Sequence, residues 1–149
     1  RDASHAQVLG CRFSGAGIGI RGGVAGVFTE IPYNVEVGFS QFDNMTTAMS
    51  AAIECNQWSI HDNVFGPNTN QIIMASRAFT IARNTLGTFT AAANSGGIDL
   101  RGGQGANKVY GNFLSGTYSH AGGYQESGGT ADNWYGNFVG TGISSALPG

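Results

Sequence analysis

The chain carries little charge. Only 11% of its 149 residues are Asp, Glu, Lys or Arg, and the formal net charge is −2. Its seven Lys and Arg are scattered, so they cannot assemble a basic face large enough for nucleic acid. A soluble monomer usually shows more charge than this. The shortage suits a protein whose sides are covered by partner subunits. Cysteine is scarce as well: Cys11 and Cys55 are far apart, lack metal-ligand spacing, and are expected to be two free, buried thiols. His5, His61 and His120 are too widely separated for a short metal-binding spacing, so neither a metal nor a cofactor is implied. No stretch approaches the roughly 20 apolar residues that cross a bilayer, and no signal peptide is visible. A sustained i, i+3, i+4, i+7 pattern is missing, and 25 glycines would interrupt most helices.

What the chain does have is a repeat. Asn107 to Gly116, NKVYGNFLSG, returns as DNWYGNFVG from Asp132 to Gly140. Earlier forms are WSIHDNVFG from Trp58 and FTIARNTLG from Phe79. All share an apolar residue three before an Asn, an apolar residue two after it, and then a Gly. In the Asn112 copy Ser115 takes the glycine place and Gly116 follows. The Asn positions are Asn63, Asn84, Asn112 and Asn137, giving steps of 21, 28 and 25 residues. Cys11 occupies the Asn place in a looser first copy, and Phe39 to Asn44 holds another copy of ambiguous alignment. Repeats of this length point to a stacked architecture.

Each unit reads as strand, bend, strand. Ile60, Ile81, Val109 and Trp134 precede the bend and point inward; Phe65, Leu86, Leu114 and Val139 follow it. Asn is suited to a bend because it tolerates left-handed backbone angles. Stacked about 4.8 Å apart, the four Asn would form an internal amide ladder that satisfies buried polar groups. The expected fold is one all-β domain over 1–149, a single-stranded solenoid of roughly five or six coils. Residues 1–5 are a lead-in, 117–130 a Gly-rich loop or degenerate coil, and 141–149 a C-terminal cap or tail. Because the chain starts at Arg1 rather than Met, we expect a processed protein or part of a longer one, with a preceding segment or partner over the first coil.

Less regular stretches fit around this frame. Ile18 with Ile20, and Ile98 with Leu100, are expected to face inward, with Arg21 and Arg101 outward. Gly17, Gly19 and Gly22 match a dinucleotide-loop spacing, but no helix follows, so they read as part of a strand. Ile31 to Asn34 reads as a turn, and Val35, Val37 and Phe39 then alternate like a strand. Thr46 to Glu54 reads as a strand of small side chains, or less readily as one or two helical turns. Asn44-Met45-Thr46 is a formal glycosylation sequon without a secretory route to give it meaning.

The Asn-x-apolar-x-Gly bends at Asn63, Asn84 and Asn137, with Asn112, resemble those of a right-handed parallel β-helix of the pectate-lyase-like superfamily. The Gly-rich segment Gly96 to Gly103 together with DNWYGNFVG looks most like phage virion β-helices. The resemblance implies a structural virion component of a bacteriophage: a tail spike, a fibre module or a capsid-decorating protein. It also implies a homo-oligomer, a homotrimer by family pattern, packed with other virion proteins in an extracellular particle. The alternative is a secreted protein that degrades or binds polysaccharide, including cell-surface polysaccharide, as a lyase or glycoside hydrolase if it is an enzyme.

Candidate chemistry is sparse. Glycoside hydrolysis needs two facing carboxylates; Asp43, Glu54, Asp62, Asp99, Glu126 and Asp132 are the main supply. On the Asn frame Asp62 aligns with Arg83, Gly111 and Gly136, so no second carboxylate stacks on it. Asp99 and Arg101 share an outer face as a local ion pair. No catalytic pair emerges, and Asp62, Asp99 and Arg101 are the nearest candidates for one. A lyase site would need acidic calcium ligands beside Arg83 or Arg101, and none accompanies either. His61 reads as a surface residue. Tyr110 and Tyr135 align on one outer face, either as a stabilising ladder or as a platform for a sugar ring. Phe113 and Phe138 align just past the bend, beside the inward Leu114 and Val139. They are expected to point outward as an apolar oligomer contact.

Overall fold

A computed structural model describes residues 5–15, 17–23, 33–51, 55–75, 77–88, 96–100, 105–116, 124–125 and 132–139. The chain is an all-β parallel solenoid of three sheets. The first sheet stacks Gln7–Leu9, Glu36–Gly38, Ser59–His61, Thr80–Ala82, Lys108–Tyr110 and Asn133–Tyr135 in that order. The second stacks Arg12–Ser14, Gln41–Asp43, Val64–Phe65, Thr85–Thr88, Phe113–Gly116 and Phe138–Val139. The third stacks Ile18–Gly22, Thr47–Ala51, Asn70–Met74, Gly96–Asp99 and Tyr124–Gln125. Each strand pairs in parallel with its equivalents above and below; Ile60 lies between Val37 and Ile81.

Alternation along these short strands decides what goes inside. Val37, Ile60, Ile81 and Val109 line the first sheet's inner face, and Phe42, Phe65, Leu86 and Leu114 the second's, all fully buried. The rings of Phe13, Phe42 and Phe65 stack at centroid spacings of 4.8 and 5.1 Å. Met49, Ile72, Ile98, Met74 and Leu100 complete the core from the third side. A fully buried side chain of this kind contributes roughly 1.5–3 kcal/mol. The apolar interior therefore supplies most of the driving force.

Polar groups at the corners set the register. Between the first and second sheets the chain turns on two residues. The second of the two carries a column of side chains: Asn63, Asn84, Asn112 and Asn137. The backbone N–H of Asn63 donates to Asn84 Oδ1 at 3.0 Å, that of Asn84 to Asn112 Oδ1 at 3.0 Å, and that of Asn112 to Asn137 Oδ1 at 3.0 Å. Each Nδ2 donates backward to a strand carbonyl: Val37, Ile60, Ile81 and Val109 respectively, at 2.8–3.0 Å. Nδ2 also donates forward from Asn63 to Asn84 and from Asn84 to Asn112. Ser40 continues the column, donating its N–H to Asn63 Oδ1 at 3.0 Å and accepting that of Cys11 on Oγ at 3.1 Å. This fixes the ambiguous copy around Phe39.

The left-handed residue at this corner precedes the Asn. Gly10, Phe39, Asp62, Arg83, Gly111 and Gly136 have φ of 54–63°. The conformational tolerance of Asn is thus not what the column uses; its amide is. A second left-handed column, His5, Asn34, Gln57, Ala78 and Ala106, marks the turn into the first sheet. There Asn107 Oδ1 accepts the Phe79 N–H, and Asp132 Oδ1 accepts both the N–H and the amide of Asn107. At the remaining corner Asn68 Oδ1 takes the Met45 N–H, and its amide donates to Phe42 O and Gln71 Oε1.

Thr47–Ala51 is a strand, the favoured of the two readings of that stretch. Other expectations change. Phe39 does not continue the alternation of Val35 and Val37; it occupies the left-handed turn and is 65% exposed. Ile18 is exposed, unlike Ile98 and Leu100 and more than its strand neighbour Ile20. Neither cysteine forms a disulfide, but only Cys55 is buried; Cys11 is exposed in the end coil. Arg101, Glu54, Glu126 and the segment 141–149 lie outside the described residues. Within 117–130, Tyr124–Gln125 is a strand of the third sheet.

Candidate functional site

The outer surface of the Asn corner is where the described residues depart most from an ordinary surface. Among the described residues seven large apolar side chains are exposed: Leu9, Ile18, Phe39, Val64, Phe113, Tyr135 and Phe138. All but Ile18 lie on this corner or one residue to either side of it. The strand positions explain why. Leu9 and Tyr135 are the last residues of first-sheet strands, and Val64, Phe113 and Phe138 the first of second-sheet strands. Phe113 and Phe138 are register partners, and Phe138 is 68% exposed.

In the middle of the corner sits a charged strip. His61 is turned outward, but its side chain is only 14% exposed. The surface assignment made from alternation holds for its direction and not for its environment. Its Nδ1 lies 2.9 Å from Asp62 Oδ2 and its Nε2 3.0 Å from Glu36 Oε1. A neutral imidazole has one N–H, so it donates to one of these carboxylates at a time; only the imidazolium donates to both. The ring lies over Gly38, where an added Cβ would come within 2.7 Å of His61 Cε1. Phe39 packs edge-on against it, with centroids 5.4 Å apart. Arg83 grips Asp62 with a two-pronged contact, Nε to Oδ1 at 2.9 Å and Nη2 to Oδ2 at 2.6 Å. Gln7 donates to Glu36 Oε2 at 2.7 Å.

These contacts set the charges. The Arg83 hydrogen bonds hold the Asp62 carboxyl below its ordinary range, with His61 helping. His61 and then Gln7 do the same for Glu36. Asp62 in turn pushes Arg83 up, and Tyr110 adds a smaller push. Glycoside hydrolysis needs one carboxyl kept protonated to act as acid. Both carboxyls beside His61 are biased the other way, toward the ionised form.

The remaining candidates are dispersed. Asp99 belongs to the third sheet, in register with Ile73, and does not converge with Asp62. Asp43 is buried, accepts from Gln41 and faces Arg12 at 3.6 Å. Asp132 is engaged by Asn107. Among the described residues no group of three His, Cys, Asp or Glu is placed to hold a metal. Tyr110 and Tyr135 stack on one another, 4.9 Å apart and 5° from parallel. Their facing sides are therefore occupied, and a sugar ring would have only an outer face or the ring edges.

Glu36 and Phe39 were missed as site residues. Aligning Ser40 with Cys11 and Asn63 would have found them, since it puts Gly38 level with His61 and Phe39 level with Asp62. Comparison of the chain with protein-family models, curated proteins and solved structures finds no match.

Proposed function

We propose that this chain is a structural solenoid module that works by side-to-side assembly, through the Asn corner, into a homo-oligomer. The observation that carries the reading is the concentration of exposed apolar side chains along that one edge. Apolar surface gathered this way marks contact with another protein. The low charge and the internally paired ions of the corner agree with it. The winding is right-handed, as parallel crossovers nearly always are. The best setting is the one the sequence resemblance implies: a pectate-lyase-like β-helix in a phage virion, as tail spike, fibre module or capsid decoration. The test is Phe113→Asp with Phe138→Asp. The double variant should keep its circular dichroism spectrum and melting curve while its sedimentation shifts to the monomer. An unchanged oligomer, or a wild type that is monomeric throughout, would refute the reading.

A second reading has its own observation. The strip Glu36, His61, Asp62 and Arg83 runs beside Tyr110 and Tyr135, offering hydrogen-bonding groups next to aromatic rings, as polysaccharide-binding surfaces do. Titration with acidic and neutral polysaccharides, monitored by tyrosine fluorescence, separates the two. Saturable binding that Asp62→Asn and Tyr135→Ala abolish would favour this second reading.

A further inference from the structure

The left-handed column at the Asn corner runs Gly10, Phe39, Asp62, Arg83, Gly111, Gly136, one residue per level of the stack. Laid against its own reverse, it is complementary at each level. Asp62 falls opposite Arg83, Phe39 opposite Gly111, and Gly10 opposite Gly136. We propose that two copies of this chain pair antiparallel along this corner, about a two-fold axis passing between the Asp62 and Arg83 levels. The proposal rests on the assembly reading and adds its partner, direction and register.

Charge favours this pairing. Across the axis each Asp62 meets the other copy's Arg83, making a closed square of four alternating charges. Beyond the Nε and Nη2 contacts to Asp62, the Arg83 guanidinium carries further N–H groups on a side chain that is 53% exposed. A parallel pairing would instead set Asp62 on Asp62 and Arg83 on Arg83.

Shape favours it independently. Phe39 holds a left-handed backbone, which is costly for a bulky residue. Within its own chain the ring has an edge contact to His61 and is 65% exposed. Opposite it lies Gly111, between the outward Tyr110 and Phe113. A Cβ built on Gly111 meets only Arg83, no closer than 3.5 Å, and one on Gly136 meets nothing within 4 Å. Asp62 and Arg83 show that the corner accepts side chains in this conformation, so the backbone alone does not dictate these glycines. They leave this level of the corner without a side chain of its own, beside Tyr110 and Phe113. At the two ends the same operation sets Arg12 level with Phe138, both exposed, where a guanidinium can lie on the ring. The surface is self-complementary, as an isologous two-fold contact requires.

Charge reversal by mixing tests the register. In Asp62→Arg and in Arg83→Glu, each alone, like charges meet across the axis and the dimer should be lost in sedimentation equilibrium. Mixed in equal amounts, every arginine of one variant faces an acid of the other, and a heterodimer should return. Phe39→Asn supplies a variant expected to fold at least as well, since Asn accepts the left-handed turn. It should raise the dimer dissociation constant by about tenfold or more. Self-association that survives both reversals, or a mixture that stays monomeric while the singles remain folded, would overturn the antiparallel register and leave the assembly reading standing. A wild type that stays monomeric at every concentration would overturn both.

Discussion

Asn84 is the most informative residue to remove. Its side chain is fully buried and makes four hydrogen bonds. Oδ1 accepts the N–H and the amide of Asn63, and Nδ2 donates to Ile60 O and Asn112 Oδ1. Asn84→Ala leaves two groups with other partners. The Asn63 amide still reaches Val37 O, and Asn112 Oδ1 still takes the Asn84 N–H. The Asn63 N–H loses its acceptor and Ile60 O loses its side-chain donor, both in a dry interior. Stripping a buried polar group of its partner costs about 1–3 kcal/mol, so the expected loss is about 3–5 kcal/mol with the small cavity included. Against a total stability of about 5–15 kcal/mol this is severe. Urea unfolding should show a midpoint lowered by about 1–3 M. Amide exchange should accelerate first at Asn63. Asn84→Asp separates the two halves: it keeps the acceptor for Asn63 but sets a carboxylate oxygen against Ile60 O and Asn112 Oδ1, and it should be no more stable. Thr85→Ala, on the exposed side of the next strand, is the control and should stay within about 0.5 kcal/mol of wild type. If Asn84→Ala were as mild as that control, the column would be ornamental and the reasoning would fail.

Two further outcomes follow from packing and charge. Gly22→Ala drives a methyl into the rigid ring of Trp58 and should cost about 1–3 kcal/mol, with a shift in tryptophan emission. Asp62 titrates below its ordinary 3.8 when folded because of Arg83. Its contribution is therefore present above the ordinary value and lost as pH falls through the lower folded one. With Arg83 half-exposed, Arg83→Gln should destabilise the fold only slightly at neutral pH. That gap should close as pH falls below the ordinary 3.8, as acid titrations of the two proteins would show.

The part of the fold that was legible in the sequence is the part where one physical demand recurs at fixed spacing. Within each unit the inward Ile or Val, the Asn and the following apolar residue keep constant distances, so Asn63, Asn84, Asn112 and Asn137 could be aligned, and Asp62 with Arg83. The steps between units vary, from 21 to 29 residues, which hid the Ser40 copy, where a hydroxyl does the work of the amide. The second left-handed column was invisible because His5, Asn34, Gln57, Ala78 and Ala106 share a backbone conformation and no side-chain chemistry. The carboxylates around His61 could not be foreseen while Glu36 had no register. A long-range pairing across 25 residues follows from the stacking and cannot be read before it.

The bonds that the main chain gives to the Asn column all run one way. The main-chain N–H at each level is given to an oxygen at the level that follows it in the sequence. No level can therefore finish its own bonding; the later one completes the earlier. On a ribosome, where the N-terminal side emerges first, every turn waits with one open donor until its successor has been synthesised. The nascent chain would then tighten from behind, one step out of phase with its own growth.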